Sequence, residues 1–503
     1  MNSRFRTVKR CGMLWLVVVG LLGALALAAD PIKSRPTEAR ALMIGNWADP
    51  TVLKDGEDYY MTHTSFEFQP GLLIWRSKDL RTWKPVTRAV VNQEGSIWAP
   101  DLVKHKGEYR IYYPAAGKNW VVTAKSITGP WSKPASLGVG GIDPGFVAGK
   151  DGKQYVHLSA GWAAELSDDG RRTVTKPKKI YKGWRIPRDW TIEGFYLESP
   201  KLMQRGRWYY LTSAQGGTAG PSTSHMIVSA RSTGPLGPWV NSPHNPIIRT
   251  WDRDEPWWSK GHGTLVEGPD GRWYCVLHGY MNSQRTLGRS TLIEPIEWTD
   301  DGWFRRTSRW PDGWKGPPRA EITISDEFNG KKLGLQWQFY RQFEKDRFEF
   351  KKGVLSLQGR GATPAESLPL AVMAMHRAYE VETQVTFEGQ GSAGLMLFGS
   401  PGVHIGLSVS SDGKLRRVQE GFRRYGAGKE SNVGSGPVTI RIVNSKQDVR
   451  FSYKVGDGDW VVLQPGMDVA MTKAGWFSLR PALFATGKGQ GRFEYFRYKP
   501  LKK

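Results

Sequence analysis

Cysteine is nearly absent from this chain of 503 residues, which contains only Cys11 and Cys275. Cys11 lies in an amino-terminal segment typical of a removable signal peptide, so the mature chain would keep Cys275 alone. An intramolecular disulfide is then excluded, and the core must be stabilised by packing. Cys275 lies in the apolar run 273–277, which favours a buried small side chain over a nucleophile.

Acidic residues are also scarce, since 47 Asp and Glu stand against 71 Lys and Arg, giving a net charge of +24. Such a balance is typical of nucleic-acid-binding proteins. Here the basic residues are scattered and no nucleic-acid-binding motif accompanies them, so we expect no nucleic-acid partner. An acidic polymer or an anionic envelope surface fits the charge better. A generally basic surface, shared by the proteins of the source organism, is the alternative.

One long apolar run is present, within residues 1–29. Basic residues precede the run 14–27, and small residues suited to a signal peptidase follow at 24–29. We interpret residues 1–29 as a signal peptide and expect a periplasmic or extracellular protein with no stable membrane anchor after cleavage. A retained anchor is the alternative, because the run is near the lower length limit for a membrane-spanning helix. Cys11 precedes the run, which argues against a lipoprotein signal.

Long segments with helical periodicity are scarce, whereas Gly (59), Pro (31) and Trp (23) are frequent and turn signals recur throughout the chain. This pattern predicts an all-β protein. A cassette also repeats: a polar opener, an apolar strand, a charged turn with Gly and an aromatic strand. The five openers are Asp49, Asp101, Asp143, Glu198 and His262. Five such units of about 40–65 residues predict a five-bladed β-propeller whose openers meet near the central channel.

The Pro- and Gly-rich stretch 310–318 indicates the end of the propeller. We therefore predict three parts: the signal peptide 1–29, a propeller at 30–315 and a β-sandwich at 320–503. Strand patterns at 353–357, 379–387 and 438–443 support a sandwich of lectin-like, or concanavalin-like, size.

Acids that converge in one pocket favour a particular chemistry. Two carboxyl groups can hydrolyse a glycosidic bond, one by protonating the leaving oxygen and the other by activating water or attacking directly. The proton donor needs a raised pKa, which burial or a neighbouring negative charge supplies. A third acid and surrounding aromatic rings would complete such a site.

An ordered set of motifs carries a family resemblance. Its members are residues 47–50, 97–101, 141–144, 198–202, 261–263, 287–292 and 301–303. Each motif is weak alone, but together and in this order they resemble glycoside hydrolase family 43 over residues 40–310. The carboxy-terminal part is similar, less specifically, to the extra domain of the family's two-domain β-xylosidases.

The resemblance implies an inverting mechanism and assigns three acids. Asp49 matches the general base and Glu198 the general acid. Asp143 matches the acid that orients Glu198 and tunes its pKa. Carboxyl groups of an inverting pair stand about 6.5–9.5 Å apart. Glu193 is a rival for the acid role, but the repeat favours Glu198, which precedes Tyr209 by eleven residues as Asp49 precedes Tyr59 by ten.

The resemblance also implies secondary site residues. Phe66 and Trp98 match sugar-stacking walls, although core aromatics are an equal alternative. Arg289 matches an arginine that contacts the sugar and shields the acids, with a structural ion pair as the alternative. His262 matches a channel histidine that in some members helps hold a metal, often calcium, through water. No cofactor is otherwise required. Asp101 is interpreted as structural.

These observations predict an exported, exo-acting glycosidase that hydrolyses O-glycosyl bonds, similar to a xylan 1,4-β-xylosidase or an α-L-arabinofuranosidase. Its partner would be a plant-derived oligosaccharide or polysaccharide from which it releases β-D-xylose or α-L-arabinofuranose. A family member acting on galactan or arabinan is one alternative. A sugar-binding propeller without catalytic activity is another. The sequence carries no indication of an oligomeric state.

Overall fold

The computed structural model describes residues 39–312, 314, 317–422, 430–470 and 477–502. Within these ranges the regular structure consists of β-strands and three 3-10 turns, at Ser159–Gly161, Arg285–Leu287 and Lys345–Arg347. No helix in this part of the chain is long and apolar enough to cross a membrane. The predicted signal peptide and Cys11 lie outside the described residues.

Five sheets of four or five strands form the propeller, which confirms the predicted fold class, and the strands within each blade pair antiparallel. The blades contain, in chain order, Thr51–Asp55, Asp58–Thr62, Gly71–Ser77 and Thr82–Val90; Asp101–His105, Glu108–Ala115, Lys118–Ala124 and Ala135–Ser136; Gly145–Ala148, Gln154–Leu158, Trp162–Leu166 and Lys178–Lys179; Leu197–Arg205, Trp208–Gln215, Met226–Ser232, Val240–Asn241 and Ile248–Arg249; and Trp257–Glu267, Trp273–Met281, Arg289–Trp298 and Phe304–Arg306.

The ring is closed by a strand that the sequence reading did not anticipate. Arg40–Met43 pairs antiparallel with Arg289–Trp298, so the last blade contains strands from both ends of the propeller. Backbone hydrogen bonds therefore join the two ends of the propeller and keep the ring closed without a disulfide.

The repeated cassette explains how neighbouring blades pack. Gly56 takes a φ of +61° in the tight turn after the first strand, a conformation that suits glycine. In the next strand, successive side chains point to opposite faces of the sheet. Tyr59 therefore reaches the last blade, donating a hydrogen bond to the carbonyl of Glu267 at 3.0 Å, while the ring of Tyr60 packs edge-on against Tyr109 of the second blade.

Cys275 lies between blades in the strand Trp273–Met281 and is fully buried, as predicted. Burial raises the pKa of its thiol well above the usual value, so the thiolate that nucleophilic chemistry requires is disfavoured.

The carboxy-terminal part is a sandwich of two sheets. In spatial order, one sheet contains Glu430–Asn432, Lys414–Glu420, Val403–Ser410, Ser392–Ser400, Arg480–Ala485, Leu370–Ala371, Gln338–Tyr340 and Phe68–Gln69, and the other contains Phe348–Lys351, Val354–Gln358, Gln490–Pro500, Ala378–Glu388, Val438–Ser445, Asp448–Val455 and Val461–Asp468. Side chains of Ala378–Glu388 alternate between buried and half-buried, as the sequence pattern predicted.

Strand pairings join the sandwich to the propeller. Phe68–Gln69 leaves the first blade and becomes an edge strand of the sandwich, paired antiparallel with Gln338–Tyr340. Arg319–Ala320 pairs in parallel with the first residues of Thr82–Val90. These two pairings fix the sandwich against the first blade, beside the channel mouth.

A buried ion pair ties four blades together at the propeller axis. Asp101 accepts a hydrogen bond from the Lys201 ammonium at 2.9 Å, and the backbone N–H of Phe146 donates to its other oxygen at 2.8 Å. The hydroxyl of Thr51 also donates to Asp101, at 3.3 Å. Both charged side chains are 8% exposed. Asp101 is thus in a structural position, as the sequence interpretation held.

We predict that Asp101→Ala lowers the free energy of unfolding by about 3–5 kcal/mol, because it leaves the Lys201 ammonium buried without a counter-charge. Equilibrium urea denaturation measures the loss. The control is Glu297→Ala, which breaks an exposed ion pair with Arg305 and should change stability little. Equal stability of the two variants would contradict this account of the axis.

Candidate active site

One pocket of about 310 Å³ opens at the channel mouth and contains every site residue that the sequence predicted. Its lining consists of Asp49, Phe66, Glu67, Ser96, Trp98, Ala99, Ile142, Asp143, Glu198, Thr218, His262, Arg289 and Phe477. A volume of this size lies within the range of small-ligand sites. Five blades thus deliver distant residues to one place.

The backbone at the site is strained in a repeating way. Asp49, Asp143 and His262 have φ values of +56°, +54° and +53°, and Ser199, next to Glu198, has +52°. Residues other than glycine rarely adopt this region, and such strain clusters at functional sites. The strand-opener prediction needs one correction: Glu198 and His262 lie inside longer strands, next to register shifts, whereas Asp49 and Asp143 precede theirs.

The imidazole of His262 stands between the three predicted acids. Its Nδ1 lies 3.3 Å from Oδ1 of Asp49, and its Nε2 lies 3.8 Å from Oε2 of Glu198. The same Nε2 lies 4.0 Å from Oδ2 of Asp143. Asp49 and Glu198 therefore face opposite nitrogens, and an imidazole ring separates their carboxyl groups.

Asp49 is held by several hydrogen bonds. The guanidinium of Arg289 donates to its Oδ1 at 2.8 Å, and the hydroxyl of Thr64 donates to its Oδ2. The backbone N–H of Asp49 donates to Nδ1 of His278 at 3.1 Å. Burial alone would raise the pKa of Asp49, but Arg289, His262 and His278 outweigh it and hold the pKa well below the usual value. Asp49 is therefore an ionised carboxylate at neutral pH.

Asp143 is in the opposite electrostatic situation. Burial, together with the charges of Glu198 and Asp49, raises its pKa to about 6, although His262 acts against this. Its Oδ2 accepts hydrogen bonds from the backbone N–H of Ser199 at 3.0 Å and from the hydroxyl of Ser159 at 3.1 Å. Two nearby carboxyl groups whose pKa values are driven apart are typical of acid–base sites.

His262 differs from the histidines around it. Burial would lower its pKa, but the nearby carboxylates, Asp49 first, raise it. Burial lowers the pKa of His225 and of His278 well below the usual value. His278 stacks on His262 with ring centroids 4.9 Å apart, and Nε2 of His225 lies 3.9 Å from Oε2 of Glu198. The sequence reading missed both, because they lie outside the repeated cassette positions.

The family resemblance implied that a metal, often calcium, could bind near His262, and this can be tested against the ligand atoms around it. Among the residues that the structure describes, two groups bring possible ligand atoms within 4.8 Å of one another: Asp49, His262 and His278, and Glu198, His225 and His262. Calcium prefers six to eight oxygen ligands, whereas each group offers one carboxylate and two imidazoles. The Arg289 guanidinium also contacts Asp49. These residues therefore do not fit a directly bound calcium ion.

Glu193, the alternative candidate for the general acid, stabilises the loop that contains Ala219 and Gly220. Its carboxylate accepts hydrogen bonds from the backbone N–H groups of Ala219 and Gly220, at 2.7 and 3.0 Å. It is not among the residues that line the pocket, whereas Glu198 is.

Aromatic rings form the walls. Trp98 is 45% exposed at the mouth, which suits stacking on a sugar, whereas Phe66 is buried in the wall. The centroid of Phe66 lies 6.0 Å from that of Phe477, which comes from the sandwich. Phe477 was not predicted, because nothing in its local sequence indicates that the sandwich reaches the pocket.

Comparison with known proteins places this geometry in a family. The family model for glycosyl hydrolases family 43 matches residues 40–304, and the model for a β-xylosidase carboxy-terminal concanavalin A-like domain matches residues 325–499. The two matches correspond to the propeller and the sandwich.

Individual relatives agree with the family match. A xylosidase/arabinosidase of Humicola insolens is 30% identical over 399 residues, covering 70% of this chain and 72% of its own. A non-reducing end α-L-arabinofuranosidase of Bacteroides ovatus is 29% identical over 392 residues, covering 70% of each. The crystal structure of a xylan β-1,4-xylosidase from Bacillus halodurans superposes with a TM-score of 0.79 at 25% identity, covering 92% of this chain and all of the other. The chain belongs to glycosyl hydrolases family 43.

Proposed function

We propose that this protein is an inverting, exo-acting glycosidase that releases β-D-xylose or α-L-arabinofuranose from the non-reducing ends of plant-derived oligosaccharides. The observation that carries the proposal is the placement of three carboxyl groups around one imidazole in a pocket with aromatic walls. Family membership and the activities named for the relatives agree with it.

In the proposed reaction Asp49 acts as the general base. Its lowered pKa keeps it ionised, and the bonds from Arg289 and Thr64 fix its orientation. Water loses a proton to Asp49 as its oxygen forms a bond to the anomeric carbon. The bond from that carbon to the leaving oxygen breaks, and Glu198 protonates the leaving oxygen.

Asp143 and His262 act on this pair. The backbone N–H of Ser199, adjacent to Glu198, donates to Asp143, so Asp143 fixes the chain where Glu198 is attached. An ionised Asp143 also places a negative charge close to Glu198. His262 contacts all three carboxyl groups and limits their mutual repulsion.

Closure of one side of the pocket supports exo action. Phe477 of the sandwich meets Phe66 of the first blade, and both rings line the pocket. A sugar chain that ran through the site would have to displace this contact, whereas a chain end would not. The preference for a terminal sugar unit follows from this closure.

Water is the only co-reactant of the proposed reaction, so no cofactor is required. We further propose, from residues 1–29 alone, that the protein acts after export, in the periplasm or outside the cell.

We predict that Asp49→Ala lowers kcat by about 10²–10⁴-fold on xylobiose and on nitrophenyl xyloside alike, because both substrates need an activated water. Glu198→Ala should lose about as much on xylobiose but much less on the nitrophenyl substrate, whose leaving group needs no proton. Steady-state kinetics on the two substrates measures the difference.

The matched control is Glu193→Gln, which keeps an oxygen that can accept the bonds from Ala219 and Gly220. We expect activity close to that of the unmodified protein. A loss in this variant comparable to that of Glu198→Ala, or an active Asp49→Ala variant, would contradict the assignment.

We predict that the kcat/KM profile has an acidic limb near pH 6, where Asp143 titrates. Asp143→Asn should slow hydrolysis less than Asp49→Ala and move this limb to lower pH. The same change should stabilise the fold at pH 7, by roughly 1–3 kcal/mol, because a carboxyl group with a raised pKa loses its favourable contribution as the pH rises through that pKa. Near pH 4 the gain should vanish. An unmoved limb, with stability equal at both pH values, would remove Asp143 from this role.

A further inference from the structure

A dense group of positive charges lies in the last strand of the third blade and in the segment that leads from it to the fourth blade. We call it the basic rim and define it as Lys176, Lys178, Lys179, Lys182, Arg185 and Arg188. All six side chains are exposed. Within the described part of the chain, none of them forms an ion pair with a carboxylate, and Asp189 is the only acid of the segment 171–192. These charges therefore remain available to an anionic partner.

The segment that carries the basic rim packs close to the strand that carries Glu198. The side chain of Gln215 accepts a hydrogen bond from the backbone N–H of Trp184 at 2.7 Å and donates one to its carbonyl at 3.1 Å. Gln215 is the cross-strand partner of Leu197, the residue before Glu198. Tyr181, next to Lys182, lines a small cavity that Glu198 also lines. Few residues therefore separate the rim from the reacting centre.

Exposed aromatic rings accompany the charges. Trp162 is 42% exposed and lies opposite Lys179 in the strand register of the third blade. Phe195 and Tyr196, which are 56% and 49% exposed, lead directly into the strand that carries Glu198. Aromatic faces bind the apolar C–H faces of sugars, whereas ammonium and guanidinium groups bind carboxylates.

We propose that the basic rim binds the uronic-acid units of an acidic plant polysaccharide whose terminal pentose occupies the pocket. The inference deepens the proposed function and depends on it for the identity of the sugar in the pocket. Charge complementarity and the adjoining aromatic rings carry it, because a chain that leaves the pocket past Glu198 would meet both. An anionic lipid surface would use the charges but would not require them to adjoin a sugar pocket.

The experiment compares three forms of the full chain. The rim variant carries Lys178→Gln, Lys179→Gln, Lys182→Gln and Arg185→Gln. The control variant removes the same number of charges from exposed positions of the sandwich, through Lys331→Gln, Lys332→Gln, Lys351→Gln and Lys352→Gln. Binding is measured by affinity electrophoresis in glucuronic-acid-bearing xylan and in the same xylan after chemical reduction of its carboxyl groups.

We expect the unmodified protein and the control variant to bind the acidic xylan about tenfold more tightly than the reduced xylan, with a preference that weakens as salt is added. The rim variant should lose this preference. Equal binding of both xylans by the unmodified protein, or equal loss in both variants, would overturn the proposal. So would rim-dependent binding to phosphatidylglycerol vesicles that exceeds binding to the acidic xylan.

Hydrolysis of nitrophenyl xyloside and arabinofuranoside separates this inference from the proposed function. The rim variant should hydrolyse these small substrates at the unmodified rate, because none of its four positions lines the pocket. An unmodified protein that binds acidic xylan through the rim but hydrolyses neither pentoside would contradict the proposed function and leave the rim as a binding site. Normal hydrolysis of the pentosides, without a preference for the acidic xylan, would contradict the rim proposal and leave the proposed function intact.

Discussion

The placement of one imidazole against three carboxyl groups, of which Asp49 and Asp143 are buried, is the constraint on which this site depends. Like charges brought together in a poorly solvated pocket are costly unless a cation or a proton compensates them. Here Arg289 compensates Asp49, His262 faces all three groups, and Asp143 takes up a proton near pH 6. The site can therefore hold one carboxyl group ionised while another titrates close to neutrality, which is the condition for acid–base chemistry.

The propeller meets this condition through its symmetry. Its inner strands converge on one axis, so single residues from four blades come together without any of them being neighbours in sequence. The cost appears as repeated positive φ values at Asp49, Asp143 and His262. The pair Lys201–Asp101 holds the inner strands from below this strained layer, with Asp101 bonded to residues of three other blades. The reacting groups and their support are thus separate sets of residues.

The repeat made most of the site predictable. Asp49, Asp143, Glu198 and His262 occupy related places in their cassettes, and the cassette spacing favoured Glu198, which lines the pocket, over Glu193, which does not. Features that arise from pairing between distant segments were not predictable. Phe477 reaches the pocket because the sandwich is joined to the first blade through Phe68–Gln69 and Arg319–Ala320. The pairing of Arg40–Met43 with the last blade was equally unpredictable, because it forms only when the ring closes. The same holds for the positions of His225 and His278 beside His262.

The central claim is that water, activated by Asp49, attacks from the face opposite Glu198. Proton NMR of the first sugar released from a β-D-xyloside, recorded before mutarotation, tests it most directly. The account predicts that α-D-xylose appears first, since a single displacement inverts the anomeric carbon. Initial release of β-D-xylose would show a covalent intermediate and would contradict the role given to Asp49.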